Sequence, residues 1–285
     1  MSRVAVVTDS ASDLPPDEAP RDGITVVPLF VTFGEREYRA GVDLSSEDFW
    51  RELTKPGAPF PKTAAAPPGA FKEAFERLFA EGADDIVYVG VGGKLSAAVG
   101  SARVAREALP PERQPHVHIV DTESASMGVT LLARMAVDMS AAGKSAAQIV
   151  AELERRRDDV KLFVALETLE YLKRGGRISP ARAAIGNVLS VKPIITIENG
   201  IVETADRPRT RGKARARLLE LLTARPVESI AILHGQAENI EGFADELAAA
   251  AGVARERITI NLIGPSVGPH VGPGSYGAVI LKAHA

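Results

Sequence analysis

Residues 166–200 read LETLEYLKRGGRISPARAAIGNVLSVKPIITIENG and mark a change of pattern between two halves of the chain. The apolar run LFVAL at 162–166 has the composition of a strand. Gly175 and Gly176 end any helix that follows it, because glycine is favoured where the backbone leaves a helix. The stretch therefore predicts a hinge between the halves.

A helix and a hairpin are predicted within the same stretch. Ser179 followed by Pro180 is a helix start, because serine caps free backbone N–H groups and proline is tolerated at the first helical position. We expect this helix to run to about Leu189. KPIITIE is then a strand, and Asn199-Gly200 is the dipeptide that a two-residue type I′ hairpin requires before the return strand IVETAD.

Before the hinge, strand and helix patterns alternate along the chain. Because of Pro28, the second predicted strand, Ile24–Phe33, is expected to be an edge strand or to contain a bulge. The proline-rich segment 55–69 is expected to be an ordered loop without regular structure. Alternation of this kind predicts a doubly wound, mainly parallel sheet over residues 1–160. The predicted strands are Val4–Val7, Ile24–Phe33, Ile86–Val89 and His116–Val120.

After the hinge, the pattern is that of a smaller α+β domain with a mixed sheet, over residues 161–285. The hairpin is followed by a helix to Leu222, a strand at ESIAILHG, a helix through Leu247 and a strand at RITINLIG. We therefore predict a two-domain α/β protein.

Composition excludes several classes of function. The 285 residues carry a net charge of -3 and include no cysteine, which argues against nucleic-acid binding, disulfides and thiolate metal sites. No run of 18 apolar residues occurs, and the amino terminus goes straight into a strand, so we expect a cytoplasmic protein that does not span a membrane. No motif for a bound cofactor is evident.

Several polar residues stand where ligands gather. Asp9 and Ser10 follow the first strand, at the edge where open α/β sheets bind ligands, although Asp9 would also cap a turn. Ser96 begins a helix of alanines and valines, and free N–H groups of a first turn attract anions; the alternative is that it only caps its helix. Thr63 lies in the proline-rich segment, either held in place as a hydrogen-bond donor or facing solvent. His270 lies in a glycine-rich segment and either contacts a ligand or has a structural role. Both pairs of alternatives remain open.

Two glycine motifs do not fit nucleotide binding. GVGGKLS, which runs from Gly90 to Ser96, has leucine where a phosphate loop requires serine or threonine, and it lacks the spacing of that motif. Gly272, Gly274 and Gly277 spell GxGxxG, but an apolar strand follows instead of a helix.

The segment DRPRTRGKARAR places six basic residues between Arg207 and Arg217 in a chain of slightly negative charge. A solvated helix face is the usual explanation of such a run. Arginine also recognises carboxylate and phosphate groups through its planar fork, so an acidic protein partner or a phosphate ligand is the alternative.

The run LETLEYLKRGGRIS, the KPII strand and the ending GPHVGPGSYG resemble the DegV family of fatty-acid-binding proteins. The resemblance extends from Thr8 to about Lys282. It implies a carrier rather than an enzyme, which holds one long-chain fatty acid and presents its carboxylate to a separate fatty acid kinase for acyl phosphate formation. No cofactor other than the bound fatty acid is implied.

The resemblance also assigns roles to residues of this sequence. It places the carboxylate at Thr63, Ser96, Ala97 and His270. Residues that line the pocket or its mouth are expected to be Asp9, Ser10, Gly128 and Arg177. Arg209 is expected to help dock the kinase.

Two functions of other classes remain open. The first is a serine hydrolase with Ser96 as nucleophile, His270 as base and Asp9 or Asp121 as the orienting acid, although Ser96 does not lie in a GxSxG elbow. The second is a phosphate or nucleotide site between Gly90 and Ser96.

Overall fold

A computed structural model of the protein describes residues 3–178 and 191–283 and arranges its strands in three sheets. The first half of the chain contains a four-stranded and a three-stranded sheet, and the second half forms a six-stranded sheet. The predicted α/β class, with a parallel sheet followed by a mixed one, is confirmed. The helix predicted from Ser179 to about Leu189 lies outside the described residues.

The four-stranded sheet is parallel throughout. Its strands are β1 (Val4–Asp9), β2 (Ile24–Val27), β6 (Asp85–Gly90) and β7 (Val117–Asp121). They lie in the order β2-β1-β6-β7. Val6 and Val7 of the central strand are almost wholly buried, as expected for a strand covered on both faces. The loops that follow β1, β6 and β7 therefore meet at one edge of the sheet.

The three-stranded sheet corrects two expectations. It contains β3 (Phe30–Phe33), β4 (Arg36–Arg39) and β5 (Lys62–Ala64), in the order β4-β3-β5. The prediction of a single strand at Ile24–Phe33 is wrong, because Pro28, which has no N–H to donate, follows the end of β2 and the chain then enters another sheet. The prediction of no regular structure in 55–69 is also wrong, since β5 pairs with β3 and sets Thr63 opposite Val31.

The six-stranded sheet is mixed. Its strands are β8 (Val160–Ala165), β9 (Ile194–Glu198), β10 (Ile201–Asp206), β11 (Val227–His234), β12 (Ile258–Leu262) and β13 (Tyr276–Lys282). They lie in the order β10-β9-β8-β13-β11-β12, with β11 and β12 parallel and the other neighbours antiparallel. Asn199 and Gly200 have φ of 50° and 72° and join β9 to β10, which confirms the predicted hairpin.

Nine α-helices are found in the described residues, and the one at the candidate site begins later than expected. Ser45 accepts the N–H of Asp48 at 3.0 Å and caps the first helix. The helix expected at Ser96 begins two residues later, after Ala97. No helix of the described residues has the length and apolar character needed to cross a membrane. The helices are α1 (Ser46–Leu53), α2 (Pro68–Ala80), α3 (Ala98–Glu107), α4 (Met127–Ala141), α5 (Ala146–Arg156), α6 (Glu170–Arg174), α7 (Arg211–Leu222), α8 (Ile240–Ala251) and α9 (Gly268–Val271).

Both faces of the six-stranded sheet are covered. Ala231 and Leu233 of β11 belong to a cluster of buried apolar side chains that also contains Val7 of the first half. Ile230 and Ile232 belong to a second cluster, which packs with α7 and α8. Successive side chains of a strand point to opposite faces, so one face of this sheet packs against the first half of the chain. The division into domains 1–160 and 161–285 stays a prediction.

A buried carboxyl group joins the two halves. Asp13, in a left-handed conformation with φ of 54°, accepts the N–H of Gly264 at 2.9 Å and the hydroxyl of Ser126. Burial raises the pKa of Asp13 from 3.8 to about 7. Nearby, the indole N–H of Trp50 donates to the carbonyl of Ile263 at 2.7 Å. The first half is therefore held to the loop after β12 by polar contacts that are shielded from water.

We expect Asp13→Asn to change how stability depends on pH. Because the pKa of Asp13 is raised in the folded state, that state binds a proton more tightly than the unfolded chain, and its contribution to stability is lost as the pH rises from about 4 to about 7. The loss is on the order of 4 kcal/mol for a shift of this size. Asparagine keeps one acceptor for Gly264 and does not titrate.

Denaturant unfolding at several pH values between 4 and 8 measures this difference. The free energy of unfolding of the variant should exceed that of the wild type above pH 7, and the two should converge towards pH 4. Parallel pH profiles for the two proteins would contradict the assignment.

Candidate functional site

An apolar cavity of about 280 Å³ lies between the halves of the chain. Alternate residues of β8 and β9 face it, because side chains on one face of a strand recur with a period of two; Val164 lies directly opposite Ile195 in the paired strands. The first half contributes loop residues from the edge of the parallel sheet. The large apolar side chains of the wall are Leu29, Val91, Leu95, Leu162, Val164, Leu172, Ile195, Ile197, Val202, Leu233, Val267 and Val271.

Polar side chains from distant parts of the chain also line this cavity. Thr63 of β5 and His270 of α9 are joined by a hydrogen bond of 3.1 Å between Oγ1 and Nε2. Arg177 donates from Nε to the carbonyl of Leu95 at 3.0 Å and from Nη1 to that of Gly175 at 2.7 Å. Arg177 is thereby held against the residue that precedes Ser96. The structure thus places Thr63, Ser96, Ala97, Arg177 and His270 on the wall of one cavity.

Ser96 and Ala97 form the approach to α3. The hydroxyl oxygen of Ser96 accepts the N–H of Ala98 at 3.2 Å, which leaves its proton free to donate. Ala97 is the N-cap residue and supplies no side-chain cap. The N–H groups of Ala97, Val99 and Gly100 have no acceptor among the described residues, and the helix dipole adds positive potential at this end. This segment can therefore hold an anion.

His270 is uncharged at neutral pH. Burial, and secondly the Arg177 guanidinium, lower the pKa of His270 from 6.5 to about 3. Its Nδ1 is buried and has no hydrogen-bond partner among the described residues. A proton on Nε2 avoids a buried N–H without an acceptor and donates to Thr63, so the hydroxyl proton of Thr63 is left for a ligand.

Close packing by glycine fixes the orientation of His270. A Cβ atom on Gly175 would lie 2.2 Å from Nδ1 of His270. Gly272, two residues after His270, has φ of 74°, and a Cβ there would lie 2.3 Å from the ring of Tyr171. The glycine-rich tail is thus a shaped backbone in close contact with its neighbours, as its sequence indicates.

Three residues expected at the pocket do not line it. The carboxylate of Asp9 accepts the N–H groups of Ala11 and Val91 and the hydroxyl of Tyr88, at 2.6–3.0 Å, so it organises the loop behind the wall. Ser10 bonds to Ser266 and to the N–H of Leu29. A Cβ on Gly128 would lie 2.2 Å from Oγ of Ser124, so glycine lets the start of α4 lie close to the loop that precedes it.

Two hydroxyl groups of the wall have no site role among those predicted from the sequence. Ser126 and Ser266 line the cavity and point back to polar partners, Asp13 and Ser10 respectively. Ser266 lies in the glycine-rich tail, which was a usable signal. Ser126 has φ of 55°, a conformation that sequence does not reveal for serine.

The arrangement does not support a serine hydrolase. The ring Nε2 of His270 bonds to Thr63 rather than Ser96. Neither acid expected to orient the histidine does so: Asp9 is engaged as described above, and Asp121 accepts the N–H groups of Gly93 and Glu123, each at 3.0 Å. Ser96, His270 and the two candidate acids therefore do not form a catalytic chain.

The glycine-rich loop from Gly90 to Ser96 does not form a phosphate cradle. The N–H of Gly92 donates to the carbonyl of Ser124 at 2.8 Å, and that of Gly93 donates to Asp121. A carboxylate in this position would repel phosphate. Residues 3–178 and 191–283 also contain no group of three histidine or acidic side chains suited to hold a metal ion.

Part of the basic run is neutralised by ion pairs. Arg211 pairs with Glu167 at 2.9 Å, Arg215 with Glu246 at 2.7 Å, and Arg217 with Asp206 at 2.7 Å. Arg209 is exposed, and no described residue forms an ion pair with it. The run is therefore neither a uniformly solvated face nor a continuous basic patch.

Comparisons with known proteins agree with the resemblance inferred from the sequence. The family model described as "Uncharacterised protein, DegV family" matches residues 3–283. A DegV domain-containing protein of Streptomyces coelicolor is 36% identical over 293 residues, which cover 98% of this chain and 99% of the relative.

Solved structures of similar proteins share the fold over their whole length. A DegV family protein from Thermus thermophilus, described as fatty acid binding, superposes with a TM-score of 0.88 at 35% identity, covering 99% of this chain and 100% of that one. A stearic-acid-binding protein from Eubacterium ventriosum has a TM-score of 0.86 at 25% identity, covering 99% of this chain and 98% of that one. The chain belongs to the DegV family.

Proposed function

We propose that the protein binds one long-chain fatty acid, with its alkyl chain in the apolar cavity and its carboxylate among Thr63, Ser96, Ala97, Arg177 and His270. The observation that carries the proposal is the meeting of a long apolar wall with one group of donors. Each methylene removed from water contributes about 0.8 kcal/mol, so affinity grows with chain length. The fatty acids named for related DegV proteins support the same ligand class.

The donors suit a carboxylate in particular. Thr63 and Ser96 each have a hydroxyl proton to donate, and the first turn of α3 adds N–H groups. Arg177 supplies the positive charge, because His270 is neutral. A buried carboxylate requires such pairing, since an uncompensated charge in an apolar cavity is strongly disfavoured.

We further propose that the bound carboxylate is presented to a separate kinase, which converts it to an acyl phosphate. Phosphoryl transfer needs a nucleotide, a metal ion and groups that hold them. The loop at Gly90–Ser96 uses its N–H groups internally and places Asp121 beside them, so this chain is a carrier whose partner performs the chemistry. The exposed Arg209 is the proposed contact for that partner.

We expect Thr63→Ala and Ser96→Ala each to weaken fatty acid binding about tenfold to a hundredfold, because a hydrogen bond to a charged group contributes about 1.5–3 kcal/mol. Native mass spectrometry followed by lipid extraction should find about one fatty acid per chain in the wild type and less in both variants. Titration with a fluorescent fatty acid then measures the affinities.

Ser101→Ala is the matched control for this experiment. Ser101 lies on α3, five positions after Ser96, and does not line the cavity. Its variant should bind like the wild type. An empty wild-type protein that also refuses added fatty acid would refute the proposal, and equal binding by all four proteins would refute the placement of the carboxylate.

The kinase contact is tested by charge reversal. We expect Arg209→Glu to lower acyl phosphate formation by a purified bacterial fatty acid kinase with ATP and magnesium, while fatty acid binding stays unchanged, because an exposed charge at an interface acts mainly on partner association. Lys144→Glu, an exposed charge reversal between α4 and α5, is the control. Equal rates for the two variants would remove Arg209 from the contact.

A further inference from the structure

A second pocket, of about 270 Å³, lies on the six-stranded half and shares no lining residue with the fatty acid cavity. It is formed where the loop between β11 and α8 meets the first turn of α7 and the start of β13. Arginine side chains and backbone from these elements converge on it. Its lining residues are Glu167, Arg211, Gly212, Arg215, Gln236, Ala237, Glu238, Asn239, Gly274 and Tyr276.

Arg215 lines this pocket, and one of its donors has no acceptor among the described residues, although its Nη1 donates to the carbonyl of Asn239 at 3.5 Å. Its Nε pairs with Glu246 at 2.7 Å, and its guanidinium carbon lies 5.5 Å from the centre of the Phe243 ring. The Nη2 atom is buried and has no hydrogen-bond partner among the described residues. Because a buried guanidinium donor is costly to leave unpaired, the pocket favours a group that accepts hydrogen bonds.

Arg211 places a second guanidinium at the same pocket. It pairs with Glu167 at 2.9 Å, but its contact with Glu238 is long, at 3.5 Å, and the Glu238 side chain is 90% exposed. Glu167 is also shared with Lys192 at 2.7 Å. An incoming anion therefore meets two carboxylates at Arg211: Glu167, which is shared with Lys192, and the solvated Glu238, which holds the guanidinium weakly.

The loop between β11 and α8 leads into the start of a helix at this pocket. Asn239 precedes α8 in a left-handed conformation, and its side chain does not cap the helix. Gln236, three residues earlier, also has a positive φ of 55°. The positive end of the α8 dipole thus adds to the potential of the two arginines.

We propose that this pocket binds a small oxyanion, a phosphate or carboxylate group, between Arg211 and Arg215. The forked guanidinium groups match the oxygen spacing of either group, and the pocket has the size of a small-molecule site. The proposal is independent of fatty acid binding. The two sites are nevertheless near each other along the chain, because Gly274 follows α9 and His270. The N–H of Gly274 donates to the carbonyl of Gly235 at 2.6 Å.

Amide NMR of the full-length protein in phosphate-free buffer tests the proposal. Inorganic phosphate and succinate are titrated separately, with sodium chloride holding the ionic strength constant. We expect one of them to cause saturable shifts at the amides of Gly212, Ile240 and Glu241, and the tighter of the two identifies the anion. Shifts that stay linear with concentration for both anions, or that map elsewhere, would overturn the proposal.

Two variants should weaken this binding. Arg215→Gln removes the fork and should weaken it at least tenfold. Gly212→Glu places a carboxylate at the pocket; a Cβ there meets no atom within 4 Å, and an acidic residue in the first turn of α7 is favourable for the helix, so this variant should fold. Retention of wild-type binding by Gly212→Glu would also overturn the proposal.

Arg217→Gln is the matched control, because Arg217 lies on α7 but pairs with Asp206 and Glu220 outside the pocket. It should bind the anion like the wild type. Fatty acid binding, measured on the same variants, should be unchanged, which separates failure of this site from failure of the proposed function. Equal loss of anion binding in Arg217→Gln and Arg215→Gln would reduce the effect to net charge and refute the pocket.

Discussion

The hydrogen bond between Thr63 and His270 joins residues 207 positions apart, and the candidate site depends on the folding that brings them together. Thr63 is placed by a short strand in the three-stranded sheet, and His270 by a helical turn that Gly175 and Gly272 allow to pack closely. Neither side chain forms a site alone. The contact is possible because the inner face of the six-stranded sheet is apolar and buries itself against the first half of the chain.

The positive potential of the candidate site does not depend on protonation of His270. Burial keeps His270 neutral, and Arg177 and the start of α3 provide the positive potential. The carboxyl groups that lie behind the wall, Asp9 and Asp13, are buried and use their oxygens to hold loops in place. A fatty acid carboxylate would therefore meet donors and a cation, while the protein's own acids are occupied elsewhere.

The arginine-rich segment shows how one composition serves different purposes. Arg217 forms ion pairs that support its helix, while Arg211 and Arg215 line a separate pocket with partners of unequal strength. Arg209 remains exposed. The ion-pair partners of these arginines cannot be predicted from the sequence, because their spacing along the chain does not indicate which acidic side chains the fold brings near.

The sequence by itself determined the order and type of most elements, since the signals for the strand Val4–Val7 and the hairpin at Asn199-Gly200 are local. It also identified the family, and the resemblance singled out Thr63, Ser96 and His270, which line one cavity. Tertiary structure decided that Pro28 separates two sheets, that Asp9 and Gly128 stand behind the wall, and that Ser126 and Ser266 belong to it. Strand pairing, burial and hydrogen-bond partners depend on residues far away in the chain, so no local pattern could reveal them.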